Sequence, residues 1–600
     1  MVAKGFFSCL LILVYATSFA QEKQDTTKNV IQSIQDSKLS KKIMESITRS
    51  PSDTLFNQKS EDAFIPFTGK TVRKIIIKHI GFDKTIYDTT RSIRNTITKI
   101  GNTLHTNSKE WVIRDNLFIR EGKPLNPYKL ADNERYLRDL DFILDARITV
   151  KPVKGSNDLV DVIVVTRDVF SLGGSVDPSS ATKYTFNIHD SNLAGWGQGL
   201  LFSGVVEKDR APTFAPEVVY QKSSVFGSLA NLSMGYTTIN TGSSYGDENE
   251  YAAYFRIDRP LVSPYSRIAG AIEISRNWSQ NVFRKQDTLF LNYGYNIKDV
   301  WGGYNIGINN GVKNRNRQFI GVRTFQQNFT ERPYQAPEQA NPVYNDRSYV
   351  LGQYTFFNQN FYKTRYIYGF GRTEDVPYGK KISILAGWDR QFNITRPFIG
   401  GSIERTIVQN SGDFYLYTLR AEGFHYNHQL QDVSLLASAA VTSRLLVFKN
   451  FKVRQYARLS YTSIVNLTVK QLLKLDNDFG VPGLRADSLL GVQRMGLHSE
   501  TDIFTNWKLL GFRFAPIVFG DIAFLARQHQ SIFYDKPFFG LGAGIRTRNE
   551  NLIFGTIEFK GTYYPRVIQG ATQFKFSITS NLRLKYTGTL VSAPSFIQYN

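Results

Sequence analysis

Two hydrophobic patterns divide the chain. From about residue 170 onward, apolar and polar residues alternate in runs of roughly nine to fourteen, broken by clusters of Gly, Asn, Asp and Pro; this is the two-residue period of strands whose faces meet unlike surroundings. The clearest run is Phe574 to Tyr586. Phe574, Phe576, Ile578, Leu582, Leu584 and Tyr586 share one face, interrupted by Ser580, and Lys575, Ser577, Thr579, Asn581, Arg583 and Lys585 share the other. At ~3.3 Å per residue and a tilt near ~40°, such a strand rises roughly 33 Å, enough to cross a hydrocarbon layer. A sandwich strand facing one core is usually about five or six residues long. Leu552 to Gly561 repeats the pattern, with Ile553, Ile557 and Phe559 opposite Thr556, Glu558 and Lys560, and Lys313, Arg315 and Arg317 fall on one face, assigned to the lumen. The pattern predicts a transmembrane antiparallel β-barrel over residues 170–600. About 430 residues at roughly 25 to 30 per strand and loop give about 16 strands.

Residues 71–168 read differently. Val72 to Lys78 forms a strand, Trp111 to Phe118 and Asn126 to Leu140 form helices, and Ala146 to Val153 and Leu159 to Thr166 form two more strands. Pro127 opens the second helix, and Tyr136, Leu137, Leu140 and Ile143 give it an apolar stripe. The order β-α-α-β-β predicts a small α+β domain. Residues 21–70 are polar and are read as a linker with one modest helical stretch. Residues 1–20 carry Lys4, the apolar run Phe6 to Tyr15 and small residues at Ser18 and Ala20, the layout of a secretory signal peptide.

Composition sharpens this picture. Mean hydropathy is -0.27, as for a soluble chain, yet 14% of the residues are aromatic; a barrel with half its strand residues toward lipid and half toward water reconciles the two. The net charge of +22 comes from Lys and Arg spread over the whole length. In an exported chain that distribution reads as a polar lumen and lipid-headgroup contacts, and no nucleic-acid partner is expected. Cys9, inside the signal, is the single cysteine, which excludes disulfides, thiolate metal sites and cysteine catalysis from the mature chain.

A small domain of this order directly before a long barrel resembles the BamA/TamA superfamily of outer-membrane assembly and translocation proteins, whose soluble unit is a polypeptide-transport-associated (POTRA) domain and whose surface-antigen barrel has sixteen strands. Three local matches carry the resemblance. Asn192-Leu193-Ala194-Gly195-Trp196-Gly197-Gln198-Gly199 resembles the family's N-L-x-G-x-G hairpin between the first two barrel strands, with Asn192, Gly195 and Gly197 at its defining positions. Gly483-Leu484-Arg485-Ala486-Asp487, followed by Gly491, Gln493, Arg494 and Glu500, resembles the loop whose arginine folds back into the lumen, with Ala486 and Asp487 where the family has glycine and an aromatic. Phe519-Gly520-Asp521-Ile522-Ala523 resembles the strand motif that receives this arginine, with Ala523 replacing a glycine. The resemblance implies that Arg485 pairs with Asp521, with Phe519 packed nearby.

Enzymatic chemistry is not expected. The chain carries no H-E-x-x-H, Walker or dinucleotide motif, and Gly400-Gly401-Ser402 lacks the second flanking glycine of a nucleophile elbow. His425 and His428, read as strand residues, point to opposite faces, and Glu500 with Asp502 is a pair that a charged lumen supplies by chance. No cofactor or metal is expected. The resemblance implies a non-enzymatic protein of the bacterial outer membrane, with its N-terminal domain in the periplasm. Its partners would be unfolded outer-membrane or secreted client polypeptides, outer-membrane lipids and possible accessory lipoproteins. Clients would add a strand to an edge of the small domain and then template at a barrel seam, assigned to Tyr184–Asp190 and Phe574–Tyr586. A substrate-specific or porin-like channel, and a secretion pore dedicated to one partner protein, are the alternatives.

Overall fold

The computed structural model describes residues 57–80, 106–169, 171–180, 182–240, 244–245, 248–307, 315–334, 342–371, 373–392, 394–486, 488–509, 512–548, 556–582 and 590–598. Residues 1–20, read above as a signal peptide, most of the polar segment after them, and residues 81–105 lie outside them.

Among the described residues the small domain runs strand, two helices, two strands. Strand β1 (Thr71–Ile80) is followed by helices α1 (Glu110–Asp115) and α2 (Pro127–Asp139), then β2 (Ile143–Pro152) and β3 (Leu159–Asp168). In the three-stranded sheet β3 is central, parallel to β1 and antiparallel to β2. Asn126 caps α2 by accepting from the backbone N–H groups of Tyr128 and Lys129, and Pro127 fills the first turn, where an N–H has no helical partner. Val72, Ile75, Ile113, Leu130, Leu137, Phe142 and Val162 form the core under the helices. Phe64 joins that core, so the end of the segment read as a polar linker is packed structure; its Gln58–Lys59 also pairs with a barrel strand. The aromatic at 64, more than the polarity around it, decides where this stretch goes.

The remainder is one antiparallel sheet of 23 strands counted with three two-residue additions, leaving twenty long strands from Leu172–Ser180 to Phe574–Leu582. Each long strand pairs with its neighbours in sequence, the meander expected of a barrel. The count exceeds the 16 expected, because several hairpins are nearly bare turns: Gln391 is followed by a new strand at Ile394, and Tyr426 by one at Gln429. No helix among the described residues is long and apolar enough to cross a membrane; the strands carry the apolar band. Along Ile394–Val408, Ile399 and Ile403 are exposed, whereas Arg396 and Phe398, of the opposite parity, are buried inward. Phe574, Phe576 and Ile578 are exposed together, as their alternation requires.

Strand length is uneven around the sheet. The first five long strands, Leu172–Ser180, Lys183–Asp190, Gln198–Glu207, Phe214–Lys222 and Asn231–Thr237, have 7 to 10 residues. Arg347–Thr364 and Glu374–Gln391 have 18 each. The first and last long strands stand next to each other in the sheet order, yet among the described residues no register of paired residues joins them, so the barrel is not closed there.

Candidate functional site

The hairpin Asn192–Gly197 is the socket of the small domain. Gly195 and Gly197 have φ of +74° and +63°, a region open to glycine, and a Cβ on either would run into Asn107 or Val112. The turn thereby approaches the domain closely enough for Lys109 N–H to donate to Gly195 O at 2.8 Å. Asn192 is buried and holds both sides: its amide donates to Ser108 Oγ at 2.9 Å, and its Oδ1 accepts from Gly197 N–H at 2.8 Å. The motif joins the second and third barrel strands, one hairpin later than expected, because the chain makes an additional strand, Leu172–Ser180, on leaving the domain. Tyr184–Asp190 is therefore paired on both sides and has no free edge, whereas among the described residues Leu172–Ser180 has a register on one side alone.

Helix α2 docks on the same rim by ions. Glu134 and Arg138, one turn apart, pair at 2.7 Å; Arg138 continues to Asp375 at 2.6 Å and Glu134 to Lys363 at 2.5 Å. Arg315 pairs with Asp132 at 3.1 Å, Ser263 Oγ donates to Asp132 at 2.7 Å, and Arg135 donates to Val262 O at 2.7 Å and lies over the Phe361 ring. Arg315 therefore serves this junction and not an open lumen; Lys313 lies outside the described residues. Burial pushes the Glu134 carboxyl up, but the Lys363 ammonium and the Arg138 guanidinium overcome it and hold it down at about 2. Glu134 also accepts from Ile148 N–H at 2.7 Å and Arg138 donates to Ala146 O at 3.0 Å, so the helix caps part of the β2 edge with the side chains it docks with.

Inside the barrel, strands Gln493–Thr505, Phe538–Arg548 and Thr556–Tyr563 meet in a charge cluster. The buried Arg546 donates to Glu558 and Asp502 at 2.5 Å each and to Glu500 at 2.8 Å. Lys560 reaches Glu558 at 3.1 Å and Glu500 at 3.6 Å and sits 5.0 Å above the Phe519 ring. One guanidinium with its fixed fork of donors thus ties strands that are not all adjacent. Glu500 and Phe519 belong to this cluster, as does Asp502, which the alternation alone left as a chance neighbour.

Asp521 is buried on the same wall, but its carboxylate is 2.7 Å from His498 Nδ1, directly across the strand pair. Arg485 is exposed, so the expected Arg485–Asp521 lock is replaced by the cross-strand partner. The loop does fold inward, on its apolar side. Val481, Leu484 and Leu489 pack with Leu436, Ala523, Leu525, Phe538 and Tyr564, while Gly483, with φ of +86°, has its N–H on Asp476 Oδ1 and its turn fastened by Tyr564 OH to Pro482 O at 2.8 Å. Asp487 lies outside the described residues, as do Leu584 and Tyr586. His425 lies in a strand and His428 in the two-residue turn that follows it, with ring centroids 6.4 Å apart; their relation is set by the turn and not by strand alternation.

No family model matches the chain, and no curated protein matches it. Similar solved structures include BamA from Haemophilus ducreyi lacking POTRA domains 1-3, at 13% identity over 94% of this chain and 94% of that chain, with a TM-score of 0.32. CdiB from Acinetobacter baumannii matches at 11% identity over 85% of this chain and 74% of that chain (TM-score 0.38). CdiB from Escherichia coli matches at 10% identity over 94% of this chain and 99% of that chain (TM-score 0.35). Likeness at this level decides neither family nor function.

Proposed function

We propose that this is a non-enzymatic outer-membrane protein that assembles or translocates client polypeptides, receiving them on the small domain and templating them at the barrel seam. The observation that carries the reading is the junction of Leu172–Ser180 with Phe574–Leu582, which stand side by side with no register between them. Unpaired N–H and C=O groups in lipid cost several kcal/mol each by a rough transfer scale, so an incoming strand is strongly favoured at such an edge. The signal-like N-terminus supports export, and the exposed apolar strand faces support residence in the outer membrane, with the small domain on the periplasmic side.

Edge capping refines where a client would add. On β2 the groups of Ala146 and Ile148 are taken by Arg138 and Glu134. On β1, Ile75 N–H donates to Glu121 and Ile75 O accepts from Arg114. Addition is therefore assigned to β1 beyond Ile75, where Ile77 and His79 face the same way by the two-residue period.

The test is a series of paired cysteines joining Gly174–Asp177 to Phe576–Thr579 in the full chain. Oxidation is expected to stop client assembly and reduction to restore it. Undiminished assembly through a fully oxidised seam would exclude the mechanism and leave passage through the lumen. Comparing the outer-membrane and secreted proteomes after depletion then separates general assembly from secretion of one partner, and crosslinking from β1 identifies the client.

A further inference from the structure

Residues 590–598 lie back inside the barrel against lumen-facing side chains. Leu590 and Val591 are buried among Leu261, Ala269, Phe319 and Phe357, at the end that carries the small domain. Pro594 O accepts from Arg323 at 3.0 Å, while the rest of that guanidinium forks onto Asp299. Phe596 enters an aromatic cage, with ring centroids 5.0 Å from Tyr349, 4.8 Å from Phe398 and 5.6 Å from Phe424, and Arg347 lies over its face. Ile597 N–H donates to Glu422 at 2.7 Å, and the other oxygen of Glu422 accepts from Lys470.

Two features distinguish this segment from the sheet around it. It belongs to no strand, and the hydrogen bonds described for its backbone run to the charged side chains Arg323 and Glu422. It is therefore held at separate points and not along a ladder, so it can leave without breaking the barrel. Its middle, Ser592, Ala593 and Ser595, crosses a wall where Ser383, Gly400 and Ser402 lie among the longer polar side chains Lys381, Glu404 and Arg420, with a residual cavity of about 60 Å³. A barrel of twenty long strands is too wide for wall side chains alone to fill.

We infer that this lumen wall is a binding track for an extended polypeptide segment, recognising an aliphatic pair and, five residues after it, an aromatic, and that residues 590–597 fill it in cis as a removable plug. The ligand class is an unfolded peptide presenting apolar anchors across a stretch of small residues. In sequence the segment begins eight residues after Leu582, the last described residue of the strand at the seam. The plug and its removal require no client.

The full chain and a truncation lacking residues 590–600 are compared in planar bilayers, with heat-modifiable gel mobility establishing that each is folded. The truncation is expected to raise mean conductance at least several-fold. A synthetic peptide of residues 590–600 should block it again, and the same peptide with Phe596→Ala should not. Equal conductance of the two folded chains, or equal block by both peptides, overturns the inference. Should the truncation not fold, Val591→Cys in the full chain reads the same question, since Cys9 is the only natural cysteine. Its labelling from water should be slow alone and at least tenfold faster with Phe596→Ala, and unchanged labelling overturns the inference.

Discussion

The two sides of the barrel are built differently. From Arg347 to Val408 the strands are 15 to 18 residues long, locked in unbroken registers and lined by the C-terminal segment. From Leu172 to Thr237 they are 7 to 10 residues long. At ~3.3 Å per residue and ~40° of tilt, strands of about nine residues rise roughly 23 Å, against roughly 46 Å for the longest. The short side falls below a typical hydrocarbon thickness of about 30 Å and must thin the bilayer beside it. The open junction is thus flanked on one side by strands with few ladder bonds to lose, and on the other by strands tied through Arg546.

The largest effect should come from that tie. Arg546→Ala leaves three buried carboxylates without their shared cation and is expected to cost about 3–5 kcal/mol, read as a lower denaturant midpoint of the detergent-folded barrel. Adding Glu500→Gln, Asp502→Asn and Glu558→Gln should recover much of the loss, and an unchanged midpoint for Arg546→Ala would erase the contrast between the sides. Next, Arg138→Ala removes the link from α2 to Asp375 and should cost about 2 kcal/mol of docking, seen as faster proteolytic release of the small domain. Docking should also depend on pH. The Glu134 carboxyl is depressed when docked, so its contribution is complete above its ordinary value of 4.5 and is lost as pH falls toward about 2. Release that begins only on the alkaline side would contradict this.

Smaller effects sharpen the comparison. His498→Ala, which strips the buried Asp521 of its partner, should cost about 1–3 kcal/mol in the same denaturant measurement. Backbone amides of the first five long strands should exchange about tenfold faster than those of Arg347–Val408, by hydrogen-exchange mass spectrometry. Smallest is Arg485→Ala, expected within about 0.5 kcal/mol of the parent, because the side chain is exposed.

Much of the fold was legible because lipid and water impose opposite demands on alternate residues; the faces of Phe574–Ile578 follow from that demand, and the β-α-α-β-β order from the change of period upstream. The strand number was less legible, since a two-residue turn leaves little trace between two alternating runs. The candidate site divides in the same way. The Asn192–Gly197 turn could be read from its glycines, which only one backbone geometry explains. The Arg546 cluster could not, because its carboxylates lie 44, 46 and 12 residues away and alternation reports only that each points inward. The Arg485 reading failed because His498 stands opposite Asp521 in the register, and a cross-strand neighbour is held in place by the ladder whereas a loop residue must be brought there.

Strand β3 ends at Asp168, and the first barrel strand begins at Leu172. The short connection is clamped, with Val169 N–H on Phe142 O at 2.9 Å and Ser191 N–H on Ser171 O at 2.8 Å. Such a link transmits tension with little slack. A pull on the central strand of the small domain is delivered to the lip of the junction as a force along the strand, loading its few ladder bonds in shear, whereas a pull from the turn at Asn192 would be spread over two strands paired on both sides. The domain is in this sense a handle, attached to one of the two barrel strands whose outer edges have no register with a partner among the described residues.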